Sequence, residues 1–374
     1  MKNRWKFVLT LSVLSIFLSG CWGATGIGDQ LYIEGLGIDY KDGKYIVYTE
    51  SAVFSSIAKQ EGGGGQTADM PVLVGQEKGD SITMAFRKLE KTSQFPLYYG
   101  HVQFILLSDR VIKEKLDVVL SHLGHDPLIR QTSWIFGTSE DLEDVLISKA
   151  PFKQAPLYKI MFHPENMLVR NHAVNPLNMQ MLFRDGKEPF GSTIIPNINL
   201  TKNKWHEDKD RPHFPNVDGG YVIQKMKPKG RLTDKELRGL EWVTKRKKEN
   251  KLEIPLGNTV VELEVKGYKV HLKKPVKNEL KYTLEVKAKA TIDENLNIDP
   301  RKELEKHLAK KIKREIRETY RNGLSIDSDL YNLTRSTYRK SPPLVKRYGL
   351  QSDSLESVKV DVKIVHSGSQ KYKK

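Results

Sequence analysis

Residues 282–289, Tyr-Thr-Leu-Glu-Val-Lys-Ala-Lys, alternate between apolar and polar side chains at every position. Successive side chains of a β-strand point to opposite faces of the sheet, so this stretch predicts a strand with one buried face and one wet face. Residues 261–266, Val-Glu-Leu-Glu-Val-Lys, and residues 358–364, Val-Lys-Val-Asp-Val-Lys-Ile, repeat the pattern. One-sided burial is typical of antiparallel sheets, and we therefore expect an antiparallel sheet here.

A long helix is predicted between the last two of these strands. Asp299 is a good N-cap residue, and Pro300 suits the first helical position. Apolar residues then recur every four positions and predict the side that packs on the sheet: Leu304, Leu308, Ile312 and Ile316. The outer side carries six basic residues, Lys306, Lys310, Lys311, Lys313, Arg314 and Arg317. These six are the candidate contacts with a membrane or a partner protein.

A second helix is predicted to begin at Thr233, because Thr233 and Glu236 have the spacing of a capping box. Gly239 falls inside this helix, where glycine costs about 1 kcal/mol relative to alanine. Close packing by a neighbouring element explains such a glycine, and docking of a partner is the alternative. Residues 230–374 are thus predicted to form one C-terminal α+β domain, an antiparallel sheet packed by a long helix.

The preceding part of the chain predicts a mixed α/β domain over residues 29–200. Two strand-like runs, 31–40 and 45–54, flank Asp42-Gly43, a good hairpin turn. Helical periodicity is present in residues 82–89 and 116–123, and Thr138 with Glu140 and Asp141 opens a third predicted helix. These helices alternate with strand candidates at residues 101–107 and 130–136. The signal weakens from about residue 151, where a second subdomain is an alternative, and a helical patch is expected at residues 167–183. Residues 201–229 are interpreted as a connector.

Charge divides the chain. Its net charge is +16, yet residues 22–230 carry 24 Lys and Arg against 25 Asp and Glu, whereas residues 231–374 carry 35 against 21. A basic half suits nucleic acid, anionic lipid or an acidic protein face. An exported chain rarely meets nucleic acid, so anionic lipid or an acidic protein face is the better candidate partner. A solvated surface with no partner is the simpler interpretation.

The N-terminus has the pattern of a lipoprotein signal. Residues 1–20 combine Lys2, Arg4 and Lys6 with a twelve-residue apolar run, and Gly20 precedes Cys21, the one cysteine of the chain. A membrane span needs about 20 apolar residues, so the run predicts a cleaved signal peptide. We expect cleavage between Gly20 and Cys21, diacylglycerol and N-acyl lipid on Cys21, and a spacer over residues 21–28. An ordinary signal beside an unmodified Cys21 is the alternative.

Catalytic and metal-binding patterns are weak. His122, His125 and Asp126 have the residue types of a zinc site, but no further ligand is assignable, which favours a structural helix end. A second cluster of such residue types reads better as a solvated connector than as a weak cation site: His206, Glu207, Asp208, Asp210 and His213. No nucleophile elbow, zinc-protease helix or phosphate loop is present in the sequence. We predict no catalytic residue, no metal and no cofactor beyond the lipid.

Several motifs, in their order, resemble the Ger(x)C family of spore germination lipoproteins, the C subunits of germinant receptors. The motifs are residues 20–22, Gly-Cys-Trp; 35–39, Gly-Leu-Gly-Ile-Asp; 86–89, Phe-Arg-Lys-Leu; 101–107, His-Val-Gln-Phe-Ile-Leu-Leu; 126–130, Asp-Pro-Leu-Ile-Arg; and 230–239, Gly-Arg-Leu-Thr-Asp-Lys-Glu-Leu-Arg-Gly. The resemblance implies consecutive mixed α/β domains. It also implies a turn at Asp126 and Arg130 that orders the next strand.

For function, the resemblance implies a non-enzymatic subunit on the outer leaflet of the spore inner membrane. Its partners would be two polytopic subunits, one A-type and one permease-like B-type. A lipid-anchored solute-binding protein of a transporter is the alternative, and it predicts two doubly wound parallel lobes. A cell-wall hydrolase is a third hypothesis, for which the sequence offers no catalytic set.

Overall fold

Two sheets organise the chain in a computed structural model, one of eight strands and one of five, beside a two-stranded parallel pair. The structure describes residues 4–5, 29–52, 72–150, 156–169, 173–207, 211–243, 250–256, 259–273, 279–292, 301–340, 342–367 and 370–371. The predicted α+β class is confirmed. The following predicted features lie outside the described residues: the signal peptide apart from residues 4–5, the cleavage site at Gly20 and Cys21, the spacer, Asp208, Asp210, Asp299 and Pro300.

The strands are β1 (Leu31–Tyr32), β2 (Gly35–Lys41), β3 (Lys44–Ala52), β4 (Val72–Gly79), β5 (Leu97–Tyr98), β6 (Phe104–Ser108), β7 (Trp134–Thr138), β8 (Thr193–Leu200), β9 (Pro215–Gln224), β10 (Lys227–Leu232), β11 (Asn250–Leu256), β12 (Thr259–Lys273), β13 (Thr283–Ile292), β14 (Ser357–Ser367) and β15 (Gln370–Lys371). The helices are α1 (Ile82–Thr92), α2 (Asp109–Glu114), α3 (Leu116–His125), α4 (Leu142–Ile147), α5 (Asn166–Val169), α6 (Met179–Gly186), α7 (Asp234–Leu237), α8 (Arg301–Ser325), α9 (Leu333–Tyr338) and α10 (Pro342–Tyr348). Short 3₁₀ turns span Tyr99–His101, Pro156–Tyr158 and Arg238–Trp242.

The large sheet has the strand order β10-β9-β8-β7-β6-β2-β3-β4. Its centre, β8 to β2, is parallel, and an antiparallel hairpin extends it on each side. All five residues of β6 are buried, as expected for a parallel strand covered on both faces. The predicted turn at Asp42-Gly43 is confirmed, with positive φ angles of 53° and 74°. Separate apolar cores cover the two faces of the sheet.

An ion pair lies inside the core on one of these faces. The Lys159 ammonium is 2.6 Å from Glu50 Oε1 on β3, and both side chains are fully buried. Lys159 also donates to the carbonyl oxygen of Leu146, at 2.8 Å. Burial raises the pKa of the Glu50 carboxyl, while the Lys159 charge acts to lower it. The second Glu50 oxygen has no hydrogen-bond partner among the described residues, so Lys159 alone compensates this carboxylate.

The smaller sheet has the order β11-β12-β13-β14-β15 and is mixed. An antiparallel sheet was predicted, and three of its four pairings are antiparallel, but β13 and β14 are parallel. The physical reason is the long helix α8, which lies between these strands in the chain. Such a crossover returns the chain to the same end of the sheet, and the next strand then runs parallel. The alternation of residues does not distinguish the two directions.

Several predicted boundaries also differ from the structure. The expected strand at 130–136 begins at Trp134, because residues 126–133 form turns. The helical patch at 167–183 is two helices, α5 and α6, and the helix at Thr233 is a single α-turn continued as a 3₁₀ turn. Within the predicted connector, residues 215–224 form β9 and β10 begins at residue 227, so the large sheet extends past the predicted boundary at residue 230.

Polar contacts join helix α9, in the C-terminal half, to the segment between α6 and β8 of the large sheet. The Arg335 guanidinium on α9 lies 3.0 Å from Asp185 and 3.1 Å from Glu188, both at the end of α6. Hydrogen bonds from Arg335 help to hold the pKa of both carboxyls below their usual values. The Asn332 side chain accepts from the Ser192 backbone N–H and donates to its carbonyl oxygen. These contacts position the C-terminal half against the end of the large sheet.

Candidate functional site

The long helix α8 carries the candidate contacts, and its apolar side confirms the sequence prediction. Leu304, Leu308, Ile312 and Ile316 are all 0% exposed and belong to the core beneath the smaller sheet. Residues three and four apart share a helix face, so this stripe fixes which side of α8 points outward.

The structure divides the six predicted basic residues into two groups. Lys306, Lys310 and Lys313 are exposed, and Arg314 is exposed beside Glu318, at 3.9 Å. Lys311 is half-buried, with its ammonium 3.3 Å from Glu315, and Arg317 donates to the carbonyl oxygen of Glu356, at 3.2 Å. The outer face therefore presents four of the six side chains, and the other two make contacts within the chain.

Two further basic residues extend this outer face. Lys302 precedes it and Arg321 follows it, and both are exposed. Neither residue was predicted from the sequence, although both continue the three-to-four-residue spacing of the predicted set. We define the helix face as Lys302, Lys306, Lys310, Lys313, Arg314 and Arg321.

Lys311 belongs to a buried network of side chains that was not predicted from the sequence. The indole Nε1 of Trp242 donates to Glu315 Oε2 at 2.7 Å, and Lys311 approaches the other carboxylate oxygen. Trp242 is fully buried and Glu315 nearly so. A buried carboxylate needs such partners, so Lys311 stabilises the fold here. Trp242 and Glu315 are 73 residues apart in sequence, so no local pattern indicates their contact.

The segment 230–239 packs directly on α8. The predicted capping box of Thr233 and Glu236 is confirmed. Thr319 on α8 donates its hydroxyl to the Glu236 carbonyl oxygen at 2.8 Å, and accepts from the Gly239 N–H at 2.9 Å. A Cβ at Gly239 would lie 2.5 Å from the carbonyl oxygen of Glu315. The packing explanation for this glycine is therefore confirmed.

Gly239→Ala should destabilise the protein by about 1–3 kcal/mol, since the added methyl meets α8 backbone that has no room to shift. Chemical denaturation at equilibrium measures the change. Gly230→Ala is the matched control in the same segment, because its Cβ would meet only a side chain, Ile326, at 3.1 Å. Equal stability of the two variants would contradict the packing explanation.

The histidine clusters were weighed as metal sites in the sequence. His125 Nδ1 lies 2.6 Å from the Ser121 carbonyl oxygen, and the His122 ring stacks on Phe86 with centroids 6.4 Å apart. Burial lowers the pKa of His122. Asp126 accepts from the Leu128 N–H at 2.9 Å and orders the turn. Within the described ranges, no group of three or more metal-ligating side chains is placed to hold an ion.

Among the described helices, none combines the length and apolar character needed to cross a bilayer.

Two family models match the chain. The model described as "Spore germination protein N-terminal domain" matches residues 24–200, and the model described as "Spore germination B3/ GerAC like, C-terminal" matches residues 218–368. The chain belongs to the Ger(x)C family of spore germination proteins. The resemblance inferred from the sequence motifs is thereby confirmed.

Curated relatives of this Ger(x)C chain come from Bacillus subtilis (strain 168). The putative spore germination protein YfkR is 22% identical over 351 residues, which cover 91% of this chain and 89% of the relative. Spore germination protein KC is 29% identical over 41% of this chain and 38% of the relative. Spore germination protein A3 is 24% identical over 54% and 56%.

A solved structure shares the fold. The chain is similar to the crystal structure of the GerBC protein with a TM-score of 0.54 and 18% identity, over 88% of this chain and 97% of that one.

The Ger(x)C motifs of the sequence have structural roles. Gly35 lies against the Phe104 ring, where a Cβ would approach to 2.3 Å, and Asp39 pairs with Arg110. The motif at residues 230–239 holds α8 in place through its hydrogen bonds with Thr319, and the helix face therefore points outward.

Proposed function

We propose that this chain is a lipid-anchored, non-catalytic subunit of a nutrient germinant receptor that acts in spore germination. The family match over both halves of the chain carries the proposal. The lipoprotein pattern that ends at Cys21 supports anchoring, since two or more acyl chains hold a protein stably on a membrane. The proposed location is the outer leaflet of the spore inner membrane, and the proposed partners are an A-type polytopic subunit and a permease-like B-type subunit.

The alternative, a solute-binding protein of a transporter, predicts two doubly wound parallel lobes. The smaller sheet has one parallel pairing and three antiparallel ones. Helix α8 covers one face of the smaller sheet and the opposite face is exposed to solvent, whereas helices cover both faces of a doubly wound sheet. This architecture favours the receptor subunit.

Deletion of the coding sequence in the organism that encodes the chain should slow germination with at least one nutrient. The wild-type chain should restore the rate and Cys21→Ala should not, because the acylated thiol holds the subunit beside its membrane partners. The loss of optical density of a spore suspension measures germination, and mass spectrometry of the intact protein shows whether the lipid is attached. Thr25→Ala, in the predicted spacer, is the matched control. Full rescue by an unlipidated Cys21→Ala protein would contradict the proposed anchoring.

The helix face is proposed to lie toward the anionic leaflet. Each Lys or Arg near such a leaflet contributes about 1 kcal/mol, so its four to six exposed cations would orient the tethered protein. A solvated face with no such contact is the alternative. The six originally predicted residues contribute four to this face, because Lys311 and Arg317 point into contacts within the chain.

A polarity-sensitive dye tests this orientation in the anchored protein. His307 on the outer side of α8 and His271 on the open face of the smaller sheet are both exposed. An introduced cysteine would be the sole free thiol once Cys21 is acylated, so either position accepts one dye. Adding phosphatidylglycerol to neutral vesicles should shift the emission of the dye at position 307 and leave position 271 unchanged. A shift at position 271 alone would overturn the orientation.

A further inference from the structure

The open face of the smaller sheet is a second basic surface, on the side opposite to α8. Along β13, Leu284, Val286 and Ala288 are buried toward the helix, whereas Lys287 and Lys289 point to solvent and are exposed. The neighbouring strands place further lysines beside them. We define the lysine face as Lys269, Lys287, Lys289, Lys359 and Lys363, all of them exposed.

The strand register brings like charges together on this face. Lys269 on β12 is directly opposite Lys287 on β13, and Lys289 on β13 is directly opposite Lys363 on β14. Directly opposed residues have Cβ atoms about 4.5–5.5 Å apart, and like charges at that separation destabilise a sheet. These two like-charged pairs weaken the sheet, although Asp361 opposite Lys287 offsets part of the repulsion. A ligand that places negative charge between the ammonium groups would remove the repulsion.

Within the described residues none of the five lysines forms a salt bridge, although Lys359 is directly opposite Glu285 in the register. Two carboxylates lie among them. Glu285 is paired with Lys273 at 2.7 Å, and Asp361 is opposite Lys287 in the register. The face thus combines a strong positive field with two fixed negative positions.

We propose that the lysine face docks an acidic, carboxylate-rich segment of a partner protein. Charge complementarity identifies the partner's chemistry, because opposite potentials steer and align protein surfaces. An anionic bilayer fits less well, since a uniform layer of phosphates would meet Glu285 and Asp361 with like charge. A protein segment can place acidic side chains against the lysines and neutral or basic side chains against Glu285 and Asp361. The helix face and the lysine face lie on opposite sides of a two-layer unit, so one flat membrane reaches only one of them.

The proposal does not depend on the lipid anchor and is tested separately from it. The probe is a fluorescent seven-residue peptide, Ser-Glu-Thr-Glu-Thr-Glu-Ser, and its control is the same peptide with Gln for Glu. Full-length protein in non-ionic detergent should bind the Glu peptide and not the Gln peptide, as measured by anisotropy at low ionic strength. The combined variant Lys287→Gln, Lys289→Gln and Lys363→Gln should weaken binding about tenfold or more, because three charge contacts are removed.

The matched control neutralises three lysines of the helix face: Lys306→Gln, Lys310→Gln and Lys313→Gln. It has the same net charge and should bind the Glu peptide within about twofold of wild type. Equal weakening by both triple variants would overturn the proposal, as would equal binding of the Glu and Gln peptides. Loss of anionic-vesicle binding in the lysine-face variant alone would instead assign this face to the bilayer and also overturn it.

Thermal unfolding supplies a second measurement. If the opposed lysines serve a partner, their neutralisation relieves repulsion and the melting temperature should stay the same or rise. A clear fall in the melting temperature would show that the lysines serve the fold, against the proposal.

Discussion

Lys159→Met should destabilise the protein by about 3–5 kcal/mol, because it leaves the buried carboxylate of Glu50 without a compensating charge. The Lys159 ammonium contacts Glu50 and the carbonyl oxygen of Leu146, and both charged side chains are fully excluded from solvent. The second Glu50 oxygen already has no partner among the described residues. Denaturation by urea measures the loss.

The pH dependence of this variant has a definite sign. Burial raises the pKa of Glu50, and removal of Lys159 takes away the charge that opposes the rise. A carboxyl with a raised pKa in the folded state favours folding at low pH, and that contribution is lost as pH rises above its unfolded pKa of about 4.3. The deficit of Lys159→Met relative to wild type should therefore be larger at neutral pH than near pH 4.

Two controls separate the buried charge from lost packing. The double variant Glu50→Leu with Lys159→Met removes both charges and should recover most of the stability, as apolar replacement of a buried pair often does. Lys44→Met removes a pair with Asp80, both side chains being more than half exposed, and should cost less than about 1 kcal/mol. A double variant as unstable as Lys159→Met would point to packing.

Gly239→Ala is the second substitution with a large expected loss of stability, and the atoms that the new methyl would contact decide the size of that loss. The new methyl would lie 2.4 Å from the Tyr331 hydroxyl oxygen, 2.5 Å from the Glu315 carbonyl oxygen and 2.8 Å from the Ile316 Cα. A side chain yields cheaply, but the backbone of a packed helix does not. Adding Tyr331→Phe should therefore restore little of the lost stability. Full restoration would show that the hydroxyl contact, and not α8, sets the limit.

The helix face also depends on this packing. Thr319 and Asn322 on α8 bind the Glu236 carbonyl oxygen, and Trp242 binds Glu315. These bonds fix the rotation of α8 about its axis. A Gly239→Ala protein that still folds should then orient Lys306 and Lys310 less uniformly, which the dye at position 307 reports.

Local patterns predicted much of this architecture. The alternation in residues 282–289 gave the buried and wet sides of β13, and the four-residue spacing from Leu304 gave the inner side of α8. Capping chemistry predicted the turn at Thr233. These features depend on residues within a few positions of one another, so a sequence displays them directly.

Features that join distant residues were not predictable in the same way. Four such features depend on contacts across the chain: the parallel pairing of β13 and β14, the Glu50–Lys159 pair, the Trp242–Glu315 hydrogen bond and the contact of Arg317 with Glu356. Lys311 and Lys310 are adjacent and identical in type, yet one stabilises a buried carboxylate and the other faces solvent. The lysine face likewise emerges only when the strand register is known.

The parallel pairing of β13 with β14 affects how the polypeptide folds. Thr283 must find Ser357, more than seventy positions further on, before the middle of that sheet can close. Contacts so far apart in sequence are slow to form, because a long loop must be closed first. Until β14 pairs with it, one edge of β13 stays open to pairing with other chains. Folding of this half is therefore slow, and the open edge of β13 is exposed to aggregation until β14 pairs with it.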